Sequence, residues 1–392
     1  MDLTAYERRL ARPTRIKLPE FQHNGRLKHV IFADQFDRSM LENFNSLSNV
    51  VRELAKGRDT QLFLHNLLPQ KRAMLYFTQA STRTFLSFTA ACQLLGMSVA
   101  EIRDPSVSSE YKGESPFDSM RMFSSYFDLV VMRTPSAGFA EACAYLMNDL
   151  DKFNERNVPI VNGGSGADEH PTQALLDVYT IHRCFEFTSE RDSSRWAQFD
   201  EYRKTYPDLT RGLDAKIFGF CGDMLRGRTV HSLASLLANF SDVTMHFVSP
   251  RDLRLPSTLR ESLLARGVKV FEHDALRDII GEVDLLYMTR IQWEHDQGAK
   301  AGTPAPVGAD FILTPDLASR MKSYAPILHP FPRNAEIPPE IDHDPRAMYF
   351  HEARNGMWVR AALIAHLFDV DGLIVAHHRD VLSGYHDYNM SQ

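Results

Sequence analysis

The chain has 392 residues, enough for two domains of ordinary size, each with its own core. Hydrophobic residues make up 44% and charged residues 24%, the balance of a globular protein, and a formal net charge of −6 argues against nucleic acid as a partner. No apolar run has the length of a membrane span, and the opening MDLTAYERRLARPTRIKLPE lacks the apolar stretch of a signal peptide. Asp2, Glu7 and Glu20 in that opening argue against an organellar transit peptide, so a cytoplasmic protein is expected. Cys92, Cys143, Cys184 and Cys221 are scattered without metal-ligand spacing, which predicts reduced interior thiols and no zinc site.

Residues 1–30 are polar and irregular and read as an N-terminal extension. The stretch DRSMLENFNSLSNVVRELA (37–55) has apolar residues at helical spacing. RAMLYF (72–77) reads as a buried strand, and Thr82 to Leu95 as the helix that follows it. FDLVVMRT (127–134) and VPIVNGG (158–164) are two further strands, with a helix over 138–153 between them. HPTQALLDVYTIHRCF (170–185) is a helix with Pro171 in its first turn, where a missing N–H costs nothing. Strands alternating with helices predict a parallel sheet, and 31–185 is assigned to one domain. The polar stretch 186–214 breaks the rhythm and reads as an insertion or linker. The pattern restarts over 215–350, with strands at 215–223, 242–250, 268–273, 283–290 and 326–332 and helices at 227–240 and 257–267. A helix over 355–369 lies in a segment, 351–372, expected to pack back on the first domain, and 373–392 reads as a polar tail. The predicted fold is α/β, two doubly wound parallel-sheet domains with a cleft between them.

The chemistry concentrates where strands give way to helices. A helix N-terminus offers free N–H groups and partial positive charge, which favour an anion and phosphate above all. Ser81, Thr82 and Thr84 add hydroxyl donors there, and Arg83 adds a fork that matches phosphate oxygens. A helix cap beside a surface charge is an equal reading of that stretch alone. The glycines of a Walker loop are absent, which disfavours a nucleoside triphosphate. Arg133 ends a strand, and His170 and Gln173 open a helix. In the second half Arg228 and Thr229 stand at a strand-to-helix turn, and Arg290 and Gln292 end a strand. Four arginines at strand ends and helix starts, split between two α/β units, predict a cleft lined for anion-rich substrates. With no GxSxG, no Ser-His-Asp order and no metal-ligand spacing, catalysis by positioning and charge stabilisation remains. No cofactor is expected.

The ordered set Ser81-Thr82-Arg83-Thr84, Arg133, His170-Pro171-Thr172-Gln173, Gly227-Arg228-Thr229-Val230-His231-Ser232, Met288-Thr289-Arg290-Ile291-Gln292 and His329-Pro330-Phe331-Pro332-Arg333 resembles the aspartate/ornithine carbamoyltransferase family. The likeness runs from about residue 70 to 370. MTRIQWE and HPFPR stand where ornithine-type members carry Asp-x-x-x-Ser-Met-Gly and His-Cys-Leu-Pro, so the aspartate type is implied. The resemblance implies a carbamoyl-phosphate domain and an aspartate domain, and transfer of the carbamoyl group to L-aspartate in pyrimidine biosynthesis. It implies that Ser81, Thr82, Arg83 and Thr84 hold the phosphate, that Thr84, Arg133 and His170 face the carbamoyl oxygen, and that Gln173 holds the carbamoyl amine. Arg228, Thr229, Arg290, Gln292 and the Phe331 carbonyl are implied as aspartate contacts. YKGES resembles a mobile loop whose Lys112, with Ser108, enters a neighbouring subunit's site, which implies a homotrimer with shared sites. A regulatory or partner chain is compatible with it.

The chain departs from the family pattern at Phe85, where a second arginine is usual, at Gln79 and His295, where a charged interdomain bridge is usual, and at Thr134, where a histidine is usual. Phe331 stands in place of a leucine. Two rival readings stand beside this one: a carbamoyltransferase of a specialised pathway with another amino acceptor, which the Gln79 and His295 changes encourage, and a non-catalytic paralogue that only binds.

Overall fold

The computed structural model describes residues 3–104, 113–153, 155–166, 169–185, 201, 204–205, 212–291 and 308–390, the last seven by backbone alone. The chain divides into a first compact unit, Met1–Leu175 with Arg354–Gln392, and a second, Leu176–Ala353. The helices are α1 (Arg38–Leu54), α2 (Arg58–His65), α3 (Thr82–Leu94), α4 (Pro116–Tyr126), α5 (Phe139–Lys152), α6 (Pro171–Phe185), α7 (Arg228–Leu237), α8 (Ser257–Ala265), α9 (Pro315–Ser319), α10 (Tyr349–Leu367) and α11 (Asp371–Met390). The sheet strands are β1 (Arg72–Phe77), β2 (Ser98–Ile102), β3 (Leu129–Arg133), β4 (Ile160–Asn162), β5 (Ile217–Cys221), β6 (Thr244–Val248), β7 (Lys269–His273), β8 (Leu285–Met288) and β9 (Ile327–Leu328). The chain leaves the first unit within α6 and returns within α10.

Both sheets are wholly parallel, with order β2-β1-β3-β4 in the first unit and β9-β8-β5-β6-β7 in the second. Central strands of such sheets are covered on both faces, and β1, β3, β5 and β8 are accordingly almost continuous apolar runs. Met74, Tyr76, Val130 and Met132 join α5 residues Tyr145 and Met147 in one core. Cys221, Val248, Leu286 and Met288 join Ile279 and Ile327 in the other. The two-doubly-wound-sheet expectation therefore holds, and the four cysteines are buried and form no disulfide with one another.

Two terminal segments differ from the sequence reading. Residues 3–27 are no irregular arm: they form short helices and a hairpin, Gln22–His23 against Arg26–Leu27. Leu3, Tyr6 and Leu10 recur at helical spacing among the charges, and Tyr6 and Phe21 are buried in the first core. Lys17, also buried, pairs with Glu141 of α5 at 2.8 Å. The polar tail is instead α11, which packs on α1, with Ile374 fully buried and His378 Nε2 2.8 Å from Glu53 Oε2. The unforeseen β2 is an edge strand paired to β1 alone, and its mixed exposure gives no clear period.

Candidate active site

In the first sheet β1 lies between β2 and β3, so strand order reverses there and ligands belong beyond the carboxyl ends of β1 and β3. Phe77 and Arg133 are register partners at those ends, so the two loops that follow begin side by side. Gln79 N–H donates to the Arg133 carbonyl (3.1 Å), which fastens one loop to the other. Beyond β1, Ser81 takes the N-cap position of α3 in extended backbone, and its side chain makes no capping hydrogen bond. The bland reading of Ser81 as a cap is therefore not what the helix uses it for. Thr84 is buried in the first turn, and Arg83 beside it is exposed. Partial burial pushes the Arg83 pKa down from its usual value, yet a guanidinium stays charged at any working pH.

Beyond β3, Arg133 Nη1 donates to the Gly163 carbonyl at 3.1 Å. Gly164 follows with φ +94, and a Cβ there would stand 2.6 Å from His170 Cδ2 and 3.0 Å from Arg133 Nη1. Both side chains thus close over a glycine that nothing larger can replace. Asn162, 1% exposed, builds this loop: its Oδ1 accepts from Gly164 N (2.9 Å) and Ser165 N (3.0 Å), and its Nδ2 donates to the Glu169 carbonyl (3.1 Å). That last bond holds the residue immediately before His170. Asn162 and Gly164 are functional residues the sequence reading missed, for neither carries chemistry of its own. His170 is buried, Gln173 half-buried, and the His170 carbonyl accepts the first helical bonds of α6 from Gln173 N and Ala174 N. Thr134 is buried and its N–H donates to Ser165 Oγ at 3.2 Å, so it serves the loop.

Phe85 is 5% exposed, its ring 5.6 Å edge-on from Phe77 of β1. It packs α3 onto the sheet just behind the Ser81–Thr84 turn. The Arg103 guanidinium, at the end of β2, stacks 4.6 Å over the same ring.

The second unit repeats the device. Its strand order reverses between β5 and β8, and Cys221 and Met288 are register partners there. Thr289 N–H donates to the Cys221 carbonyl (2.8 Å), and Gly222, φ +134, approaches Thr289 so closely that a Cβ would sit 2.1 Å from its carbonyl oxygen. This contact fixes the segment carrying half-buried Arg290 against the turn that leads to Arg228. Buried Asp223 shapes that turn by accepting from Arg226 N (2.9 Å) and Arg226 Nε (2.8 Å). Arg228 and Thr229 open α7 and are half-buried. His231 is structural, since its Nε2 donates to the Met224 carbonyl at 2.6 Å, and burial lowers its pKa. Phe331 adopts φ +56, a rare conformation for a bulky residue, before a cis bond to Pro332. Its N–H donates to His329 Nδ1 (2.8 Å), whose Nε2 stands 2.8 Å from Glu336 Oε1. Burial is the largest influence on Glu336 and opposes its ionisation, but the hydrogen bonds from His329 and from backbone N–H groups, Asn334 among them, together outweigh it and hold the carboxyl below its usual pKa. Ser108, Lys112, Gln292 and His295, together with most of 186–214, lie outside the described residues. Among those described, no cluster of three or more metal-ligating side chains occurs.

Each unit thus carries arginines and a helix start at its own switch point, the arrangement of an open α/β enzyme that handles anions. Residues 28–183 match the model of the aspartate/ornithine carbamoyltransferase carbamoyl-P binding domain, and 214–367 that of the Asp/Orn binding domain. The aspartate carbamoyltransferase catalytic subunit of Methanospirillum hungatei is 33% identical over 341 residues, which cover 86% of this chain and 98% of that protein. Multifunctional protein CAD of Squalus acanthias is 37% identical over 338 residues and 86% of this chain, which spans only 13% of that protein's length. The solved catalytic subunit of M. jannaschii aspartate transcarbamoylase superposes with TM-score 0.70 at 33% identity, covering 88% of this chain and 98% of that one. Trypanosoma cruzi aspartate transcarbamoylase, solved with carbamoyl phosphate and aspartate, gives TM-score 0.68 at 30% identity over 86% and 96% of the two chains. The chain belongs to the aspartate/ornithine carbamoyltransferase family.

Proposed function

We propose that this chain transfers the carbamoyl group of carbamoyl phosphate to the amino group of L-aspartate, giving N-carbamoyl-L-aspartate and phosphate. The observation that carries the reading is the closure of Arg133 and His170 over Gly164, beside a helix start whose serine is not spent as a cap. The uncharged amine attacks the carbamoyl carbon, a C–N bond forms, and negative charge grows on the carbamoyl oxygen. Arg133, His170 and Thr84 stabilise that charge, each worth about 3 kcal/mol when aimed at it. The C–O bond to phosphate then breaks, and the proton lost by the amine leaves with the phosphate. Ser81, Thr82 and Arg83 hold the departing phosphate, and Gln173 orients the carbamoyl amine. Arg228, Thr229, Arg290 and Gln292 hold the two carboxylates of aspartate, with the Phe331 carbonyl beside them. The aspartate-type names of the relatives, and the Trypanosoma cruzi structure holding both substrates, support the choice of acceptor.

Purified protein given carbamoyl phosphate and a panel of amines should release phosphate with aspartate far ahead of ornithine, asparagine and alanine. Release with another amine, or with none, would replace the reading by one of its rivals.

The same reading makes the protein a cytoplasmic homotrimer in which Ser108 and Lys112 serve a neighbouring copy. Among the described residues no helix is long and apolar enough to cross a membrane. Lys112→Ala and Arg83→Ala should each be inactive alone, and mixing them after dissociation should restore activity, because some sites then receive both intact residues. No recovery on mixing would remove the shared site.

A further inference from the structure

Behind the strand ends of the second unit lies a group of ionisable side chains that touches no substrate in the scheme above. Asp177 of α6, Tyr287 of β8 and Glu352 of α10 are each at most 1% exposed. The Tyr287 phenol donates to Asp177 Oδ2 at 2.9 Å, and Glu352 Oε2 accepts the His329 backbone N–H at 2.8 Å. The Asp177 and Glu352 side chains lie within hydrogen-bonding reach of one another, where two carboxylates could only accept. Glu352 Oε1 is buried, and no N–H or O–H of the described residues reaches it. A proton shared between the two carboxyls satisfies both at once. Burial first, and the Asp177 charge second, raise the Glu352 pKa well above the carboxylate range. Asp177 has the Tyr287 phenol to stabilise its charge, which leaves the proton with Glu352.

The pair also touches the machinery of the acceptor half. His329 opens the turn that carries Phe331, and its ring binds the Phe331 N–H. Tyr287 directly precedes Met288, the last residue of β8, two residues before Arg290, and its phenol also bonds the Thr229 hydroxyl. We propose that Asp177 and Glu352 share one proton at neutral pH, and that this protonated pair is a positioning element holding Thr229, Arg290 and Phe331 in place. Its kinetic consequence rests on the function proposed above, while its effect on folding does not. The ionisable groups around Glu352 are Asp177 from α6, Tyr287 from β8, and His329 with Glu336 from the turn after β9.

Glu352→Gln replaces the shared proton by an amide that donates to Asp177 and still accepts from His329. Above about pH 4.3 the unfolded chain loses the Glu352 proton while the folded chain keeps it, so wild-type stability falls as pH rises towards the folded pKa. Urea denaturation from pH 5 to 9 should show the wild-type folding constant falling relative to E352Q by up to about tenfold per pH unit. Parallel curves overturn the shared proton. Glu352→Ala should raise the aspartate KM by more than about tenfold, and E352Q should return it to within about threefold at pH 7. Towards pH 9 the wild-type KM should climb relative to that of E352Q, and a constant ratio overturns the positioning role. If neither protein transfers a carbamoyl group, the function falls and the denaturation curves still decide the proton. If E352Q does not fold, the infrared band of a protonated carboxyl must persist in the wild type at pH 7, and its absence overturns the proposal.

Discussion

Arg133→Ala is expected to lower kcat about 100- to 1000-fold, a loss of roughly 3–4 kcal/mol of transition-state stabilisation, while the KM for carbamoyl phosphate moves only a few fold. The asymmetry follows from the loop geometry. Arg133 Nη1 stands against the Gly163 carbonyl and the Gly164 backbone, on the same glycine as the His170 ring. On the proposed function a cation there meets the carbamoyl oxygen, which gains its charge only as the amine attacks. On the same proposal the phosphate is held elsewhere, by the first turn of α3 and Arg83, so ground-state binding should survive the truncation. Folding should change little, since the lost Gly163 bond is worth about 1 kcal/mol. Arg133→Lys keeps the charge without the planar fork and should fall between the two. Stopped-flow phosphate release together with thermal melting measures both effects. A variant with unchanged kcat, or one whose kcat loss matches an equal loss of folded protein, removes Arg133 from the chemistry.

Much of the placement of the candidate residues was legible in the sequence, because they stand where apolar strands give way to helices. Ser81 to Thr84 at the start of α3 and Arg133 at the end of β3 both follow from the apolar runs before them, though that first stretch alone read equally as a helix cap beside a surface charge. The nearly continuous apolar runs of β1, β3, β5 and β8 likewise marked the sheets, since a buried parallel strand has no polar face to interrupt it. What the sequence hid falls into two kinds. Buried Tyr6 with half-buried Leu3 and Leu10 forms one stripe too short to stand out among charges, and β2, at a sheet edge, alternates irregularly. Asn162, Gly164, Asp177 and Glu352 act only through what they meet: a loop, a histidine ring, or each other from distant helices. A lone aspartate on one helix and a lone glutamate on another read as solvated charges until the fold removes the solvent. Phe85 lies between the two kinds. Its departure from the family pattern was visible, but its role, packing α3 behind the phosphate turn with Arg103 stacked on it, needed the structure.

Arg290→Ala is expected to lower kcat/KM for aspartate about 100- to 1000-fold, chiefly through KM, and to abolish the preference for a dicarboxylate acceptor. A guanidinium binds a carboxylate through two parallel hydrogen bonds, and a half-buried one with its backbone held still has little freedom to accept anything else. Arg290 meets both conditions: Thr289 is tied to Cys221 by a 2.8 Å bond, and Gly222 lies so close that the segment cannot slide. Asparagine or alanine, lacking one carboxylate, leaves that arginine unpaired in the wild type and is rejected on that account. Removing the guanidinium removes the penalty along with the attraction. Aspartate should therefore lose far more than the amides do, and the ratio between them should shrink towards the few fold that Arg228 and Thr229 can still enforce. Because the interaction is made in the ground state as much as in the transition state, kcat should fall much less than KM rises, and the KM for carbamoyl phosphate, bound by the other unit, should stay put. Unchanged aspartate kinetics in this variant would count against Arg290 as a substrate contact and against a dicarboxylate as the acceptor. An equal loss for aspartate and alanine would assign Arg290 to the shape of the turn that carries Arg228 instead.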